Sequence, residues 1–319
     1  MRETQDPGTT PGETTGDALA RLVPLLSEMG DLKRLRAAGR AGTHAEGVFR
    51  RSWAALLAGE PAEDVARREA AAGVAAARMG SRDYPMLRRA GLPHDGAKDV
   101  LAASLDSVAD ALPGEARDTL RNELYASPIG EPPGEEELPA FVGLLARQPR
   151  AGATAPGKPR IVVEPPEGHA DHCAAVGLYA VLLAPLYGAE PGAPFLVGLA
   201  HHLHNSYFPD SGFAGDELLG DGLDVINTQL QGEVLEEIGA RNPALRDGIS
   251  RVLPLVYRTD TPEAKAFQAA DVIDRILEQR HHARKAAFTL EDALGEMDLV
   301  HEGPTQAFHL EVLEGSGLR

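Results

Sequence analysis

Residues 17–26 read DALARLVPLL, with Leu19, Leu22, Val23, Leu25 and Leu26 recurring three and four apart. That interval lines apolar side chains along one face of a helix. The same interval returns in Val48, Trp53, Leu56 and Leu57. The period-two alternation of a half-buried strand is nearly missing, and the one strand-like tetrad is Arg160-Ile161-Val162-Val163. Alanine is abundant and aromatic residues make up 5%, so an all-α fold is expected. Gly59-Glu60-Pro61 separates two helices, and Ser81 to Pro85 ends another. Further helices are expected over 96–112, 115–125, 135–147, 170–187, 194–204, 216–238, 243–258, 262–286 and 289–296.

The stretch 148–168, QPRAGATAPGKPRIVVEPPEG, holds five prolines and three glycines. Helices do not survive that composition, so it reads as a Pro/Gly-rich linker between two helical parts. The expected organisation is a disordered tail over 1–17, an N-terminal helical domain over 18–147, the linker over 148–168, a second helical domain over 169–298 and a C-terminal tail over 299–319.

Composition narrows the function classes. A chain of 319 residues suits one large or two modest domains, and 43% hydrophobic residues suffice for a sizeable core. A formal net charge of −17 argues against general binding to a nucleic acid polymer or to an anionic membrane, both of which need attraction to phosphate. The single cysteine, Cys173, excludes a disulfide framework and a cysteine-type zinc site within one chain. No apolar run is read as approaching the ~18–20 residues of a membrane span. Residues 1–17 are polar and lack the basic start and apolar stretch of a signal peptide, so a cytoplasmic protein is expected.

The histidines carry the chemical signal. Seven of the eleven lie between 169 and 282: His169, His172, His201, His202, His204, His281 and His282. Three of them, His201, His202 and His204, directly follow the apolar run Phe195 to Ala200. Burying several imidazoles costs hydrogen-bonding free energy unless something binds their nitrogens, and a metal ion does so. A metal site is therefore expected.

Three segments in order resemble the HD-domain superfamily of metal-dependent phosphohydrolases, nearest to its bacterial 5′-deoxynucleotidases. GHADHCAAVGLYAVLL at 168–183 resembles the helix carrying the family's first histidine, FLVGLAHHLHN at 195–205 its His-Asp pair, and AFQAADVIDRIL at 266–277 the distal aspartate. The gaps, 29 residues from His172 to His201 and 69 from His202 to Asp271, fit the same order. The resemblance covers about 165–290. It implies an HD-like helical bundle over 169–298, with His172, His201, His202 and Asp271 as metal ligands.

Two positions depart from the family's pattern. His202 stands where the namesake aspartate is usual, so three ligands are neutral and one is an anion. Such a set suits Fe, Mn, Co or Zn better than Mg. Asn205 replaces a glutamate that acts near the scissile phosphate, while Asp210 matches an aspartate near the sugar. Asp210, His204 and Asn205 are the expected substrate-contacting or catalytic residues, with Arg275 as a further contact to an anionic substrate. His169 fits a role behind the ligands, Cys173 fits packing, and His44 in Gly-Thr-His-Ala-Glu reads as structural. Lys158 and Arg160 are cations in the linker without an assigned role.

The resemblance implies hydrolysis of a phosphate ester of a nucleotide or related small metabolite, with an anionic small molecule as partner and a homo-oligomer allowed. The alternatives are an HD-type iron oxygenase and a decayed HD domain used for binding. Oxygenases of this kind need extra histidines between the pair and the distal aspartate, and residues 205–270 contain none. Three histidine ligands would make metal affinity fall steeply below about pH 6.

Overall fold

Thr14 opens the first helix with a reciprocal cap: its hydroxyl accepts the Asp17 N–H at 3.2 Å, and Asp17 Oδ2 accepts the Thr14 N–H at 3.1 Å. The structure, a computed structural model, describes residues 14–152, 164–284, 289–296 and 299–319. In chain order the helices are α1 (Thr15–Gly30), α2 (His44–Leu57), α3 (Ala62–Arg78), α4 (Tyr84–Arg89), α5 (His94–Asp106), α6 (Gly114–Ala126) and α7 (Ala140–Arg147). They continue as α8 (His169–Tyr187), α9 (Gly192–Ala200), α10 (Gly212–Leu219), α11 (Gly222–Arg241), α12 (Pro243–Val252), α13 (Pro262–Ala283) and α14 (Gln306–Gly315). Among the described residues there is no β-strand, and the protein is all-α.

Helix α8 is apolar on every side, so it has no face to give to water and becomes the central element. Helices α13, α9, α2, α3 and α7 pack around it. By length and composition α8 passes the test for a membrane span, which corrects the expectation that no such run exists. Its most apolar window is 83% buried against the protein's other helices. One continuous cluster of buried apolar side chains runs from Ala18 to Leu318, and helices on both sides of the 148–168 segment contribute to it. Trp53 sits inside this cluster, edge-on to Phe49 at 6.1 Å and to Phe141 at 4.8 Å.

Several boundaries differ from the sequence reading. The single helix expected over 216–238 is broken at Gly220, whose φ of 50° takes the chain out of helical geometry between α10 and α11. The helix expected to reach 204 ends at Ala200 and continues as a 3₁₀ turn, Leu203–Ser206. Residues expected as a C-terminal tail form α14, which packs against α1 and α13 and buries Val312 and Leu313. A helix expected over 289–296 is a π-helical turn at Asp292–Glu296. The strand-like tetrad Arg160 to Val163, the cation Lys158 and most of the N-terminal tail lie outside the described residues. At the ends of the linker, Arg150 N–H donates to the Glu167 carbonyl at 2.8 Å and His169 N–H to the Gln148 carbonyl at 3.0 Å. The two ends thus run side by side into the first turn of α8.

Helices α8 and α9 meet at Gly177 and Gly198. A Cβ on Gly198 would lie 2.8 Å from Gly177 Cα and 2.9 Å from Gly177 N, so the contact is backbone against backbone. No side chain can rotate away to relieve it. Gly198→Ala is expected to force the helices apart and cost about 1–3 kcal/mol in urea unfolding. Gly248→Ala in α12, where a Cβ meets nothing nearer than 3.9 Å, is the matched control and should be neutral or stabilising by up to about 1 kcal/mol. Equal effects from the two substitutions would contradict the tight crossing.

Candidate metal centre

The α8–α9 crossing brings His172, on the second turn of α8, against His201 at the end of α9. His202 follows at the entry to the 3₁₀ turn, and Asp271 comes from the middle of α13. His172 and His201 are buried and His202 is half-buried.

Each of the three rings has one nitrogen tied to a group that can only accept. His172 Nδ1 donates to Asp274 Oδ2 at 2.7 Å, and His201 Nδ1 to the Gly198 carbonyl at 2.8 Å. Asn205 Nδ2 donates to the Phe208 carbonyl at 3.3 Å, which turns Asn205 Oδ1 toward His202 Nδ1 at 2.8 Å. The proton therefore sits on Nδ1 in each ring, and each Nε2 presents a lone pair. His172 Nε2 and His201 Nε2 are 3.1 Å apart. One ring nitrogen from each of the three histidines lies within 4.8 Å of the others. Lone pairs held this close repel one another unless a proton or a metal ion lies between them. A tethered Nδ1 with Nε2 turned to a neighbour, as at His172 and His201, is how proteins orient histidine ligands, and this cluster can hold a metal ion.

Asp271 stands beside this group: its Oδ1 is 3.4 Å from His172 Nε2, and its Oδ2 pairs with Arg275 at 3.0 Å. The electrostatics favour one positive charge at the centre. Burial holds His201 down to about 3, with neighbouring His172 pushing the same way, and holds His202 well below its ordinary value. Burial and the Arg150 charge also oppose protonation of His172, but the Asp271 and Asp274 carboxylates outweigh them and raise it. Burial alone would raise Asp271; Arg275 and His172 hold it well below the usual carboxylate range.

Behind His172 lies a network the sequence did not reveal. Lys33, from the short 3₁₀ turn after α1, is 3% exposed at its side chain and reaches Asp274 at 2.9 Å, Glu167 at 2.7 Å and Glu278 at 2.8 Å. Arg34 also pairs with Glu278. Glu167, His172 and Asp274 satisfy the spacing of a second ligand group, but the Lys33 ammonium already bonds both carboxylates of that group. The second group is thus an internal ion-pair cluster that fixes Asp274 against His172. Asp274 was visible as the i+3 neighbour of Asp271, whereas Lys33 lies 241 residues from Asp274 and carries no local signal.

The remaining sequence candidates fall as follows. His169 is wholly buried, its Nδ1 donates to the Gln148 carbonyl at 2.9 Å, and burial lowers it to about 4. Its ring packs 5.0 Å from that of His202. Asp210 lies near it, with Oδ2 at 3.9 Å from His169 Nε2. His204 is half-buried, with its ring 6.0 Å from that of His202. Asn205, expected to contact substrate, turns its Oδ1 to His202 Nδ1 and one Nδ2 hydrogen to the Phe208 carbonyl. Cys173 is buried in the core. His44 is buried far along the chain, facing Ser81 Oγ at 2.9 Å. His282 pairs with Glu278 at 2.8 Å.

A cavity of about 70 Å³ borders the ion-pair cluster at Glu167 and Glu278, lined also by Arg150, Asp210, Arg275 and Gln279. Three buried atoms of these residues have no hydrogen-bond partner: Arg150 Nε, Arg275 Nε and Gln279 Oε1. No family model, curated protein or solved structure matches this chain.

Lys33→Met tests the ion-pair cluster. In the folded protein Asp274 and Glu278 are held below their ordinary values: burial opposes this, but Lys33 and the histidine partners, His172 for Asp274 and His282 for Glu278, outweigh it. Their contribution is complete above the unfolded carboxylate range near 4 and is lost as pH falls through the folded values. Without Lys33 the carboxylates keep only their histidine and Arg34 partners against the burial that raises them, so the loss is largest where they are ionised. Urea unfolding of the metal-free variant should show a loss of about 3–5 kcal/mol at pH 7 that shrinks at pH 5. An equal loss at both pH values would mean that Lys33 acts by packing alone.

Proposed function

We propose that this protein is a metal-dependent hydrolase of the HD type, acting on a phosphate ester of a nucleotide or related small metabolite. The observation that carries the reading is the set of three histidines, each tethered at Nδ1, whose rings each bring one nitrogen within 4.8 Å of the others beside Asp271. His172, His201 and His202 would hold the metal, with Asp271 as the adjacent anion. Imidazole donors in this number favour Fe, Mn, Co or Zn over Mg. When bound, a divalent ion there supplies Lewis acidity, polarising a phosphoryl oxygen and acidifying a water.

The chain's own residues supply the rest. Arg150 Nε and Arg275 Nε are buried N–H donors without partners at the rim of the site, which supports an anionic substrate. Arg275 also holds Asp271 ionised and in place. His204, on the 3₁₀ turn next to the ligands, carries a ring that can accept or return a proton at the leaving oxygen. Burial of the ligand shell limits access of bulk water to the reacting centre.

Two measurements test the reading. The purified protein should contain bound transition metal by mass spectrometry and release phosphate from a panel of nucleotides and phosphomonoesters. His201→Ala and Asp271→Asn should each cut metal affinity by at least about 100-fold and remove phosphate release. Full metal content and activity in both variants would sink the proposal.

The second concerns pH. Only His172 is raised, while His201 and His202 are held neutral, so one proton rather than three competes with the metal. Affinity should fall as pH drops through the raised His172 value, with a slope near one proton per ion by equilibrium dialysis. The steep fall expected from three titrating histidines gives way to this shallower one, because burial has already excluded two of the protons. A slope near three would contradict it.

A further inference from the structure

The lone-pair problem that marks the histidine cluster occurs a second time, at His169 and Asp210. His169 Nδ1 donates to the Gln148 carbonyl at 2.9 Å, so its Nε2 is a bare acceptor. That Nε2 is buried and has no hydrogen-bond partner. It faces Asp210 Oδ2 at 3.9 Å. The carboxylate is itself held from behind: Ala151 N–H donates to Oδ2 at 3.1 Å, and Gly212 N–H donates to Oδ1 at 2.8 Å. Two acceptors therefore oppose each other at a separation too long for a hydrogen bond.

We propose that His169 Nε2 and Asp210 Oδ2 bind a second divalent cation, alongside the one held by His172, His201 and His202. Two ligands at metal distances of about 2.0–2.2 Å can stand up to about 4.4 Å apart, and the observed 3.9 Å fits within that reach. Both side chains have the outer support typical of ligands, with a carbonyl fixing the imidazole and two backbone N–H groups fixing the carboxylate. The His169 ring packs against His202 at 5.0 Å, so the two cations would be neighbours. Water or substrate oxygen completes the coordination. The inference extends the hydrolase reading from one cation to two and rests on that reading for the second ion's role, which is to clamp a second oxygen of the phosphate. Its binding rests on His169 and Asp210 alone.

The competing way to satisfy the pair is a single water donating one hydrogen to each acceptor. Metal counting separates the two. The full-length protein is stripped with chelator, reloaded with Mn²⁺ or Zn²⁺, desalted and assayed for ions per chain. The proposal expects two ions per chain in the wild type and one in both His169→Ala and Asp210→Asn. Asp210→Asn keeps the size of the side chain, so it remains informative where removal of a buried histidine perturbs folding. The Mn²⁺-loaded wild type should also show the electron paramagnetic resonance signature of two coupled ions, replaced in Asp210→Asn by that of an isolated ion. One ion per chain in the wild type, lost in His201→Ala but unchanged in both other variants, overturns the second site and leaves the first. No ion at all overturns both. Two ions without phosphate release from any ester support the second site while sinking the hydrolase reading.

Discussion

The backbone contact between Gly177 and Gly198 is the constraint on which the site depends. With no side chain between them, α8 and α9 approach until main chain meets main chain, and the crossing angle and depth are fixed by hard contact. His172 lies five residues before one glycine and His201 three residues after the other, so the crossing sets the distance between their rings. The same glycine that permits the approach supplies the carbonyl that holds His201 Nδ1. Packing and ligand orientation are thus two consequences of one close passage.

A second layer of order comes from charge. Five side chains drawn from distant parts of the chain, Lys33, Arg34, Glu167, Asp274 and Glu278, form one buried ion-pair cluster. Burying carboxylates is costly unless each is matched; Lys33 reaches all three, and Arg150 at Glu167, Arg34 and His282 at Glu278 and His172 at Asp274 share the load. The result reaches the centre through a single bond, from Asp274 to His172 Nδ1. The first third of the chain, which contains no ligand, thereby contributes to how the first histidine points.

The all-α class was legible because helical periodicity is a local property: the leucines of α1 and the apolar run of α9 announce themselves within a few residues. The histidine cluster was legible for a related reason, since crowding of one rare residue type after an apolar run survives without knowledge of the fold. What was hidden is whatever depends on contacts distant in sequence. Lys33 reads as an ordinary surface lysine, and nothing near it foretells three carboxylates. The break at Gly220 had a local signal, Gly220-Asp221-Gly222, that the apolar periodicity on either side outweighed in the reading. Residues 299–319 read as a C-terminal tail, yet α1 and α13 give Val312 and Leu313 of α14 a surface to pack on. Asn205 was read by its place in the sequence, which does not display its contacts to His202 Nδ1 and the Phe208 carbonyl.

Cys173 is the protein's sole thiol, wholly buried on α8 and adjacent in sequence to His172. Burial also pushes the thiol up, away from the reactive thiolate. A thiol reagent can therefore reach it only when the central helix is uncovered. Because the protein carries no other sulfhydryl, every labelling event reports that opening and nothing else. The core holds a built-in clock for its own breathing, read in the native protein without denaturant and set one peptide bond away from His172.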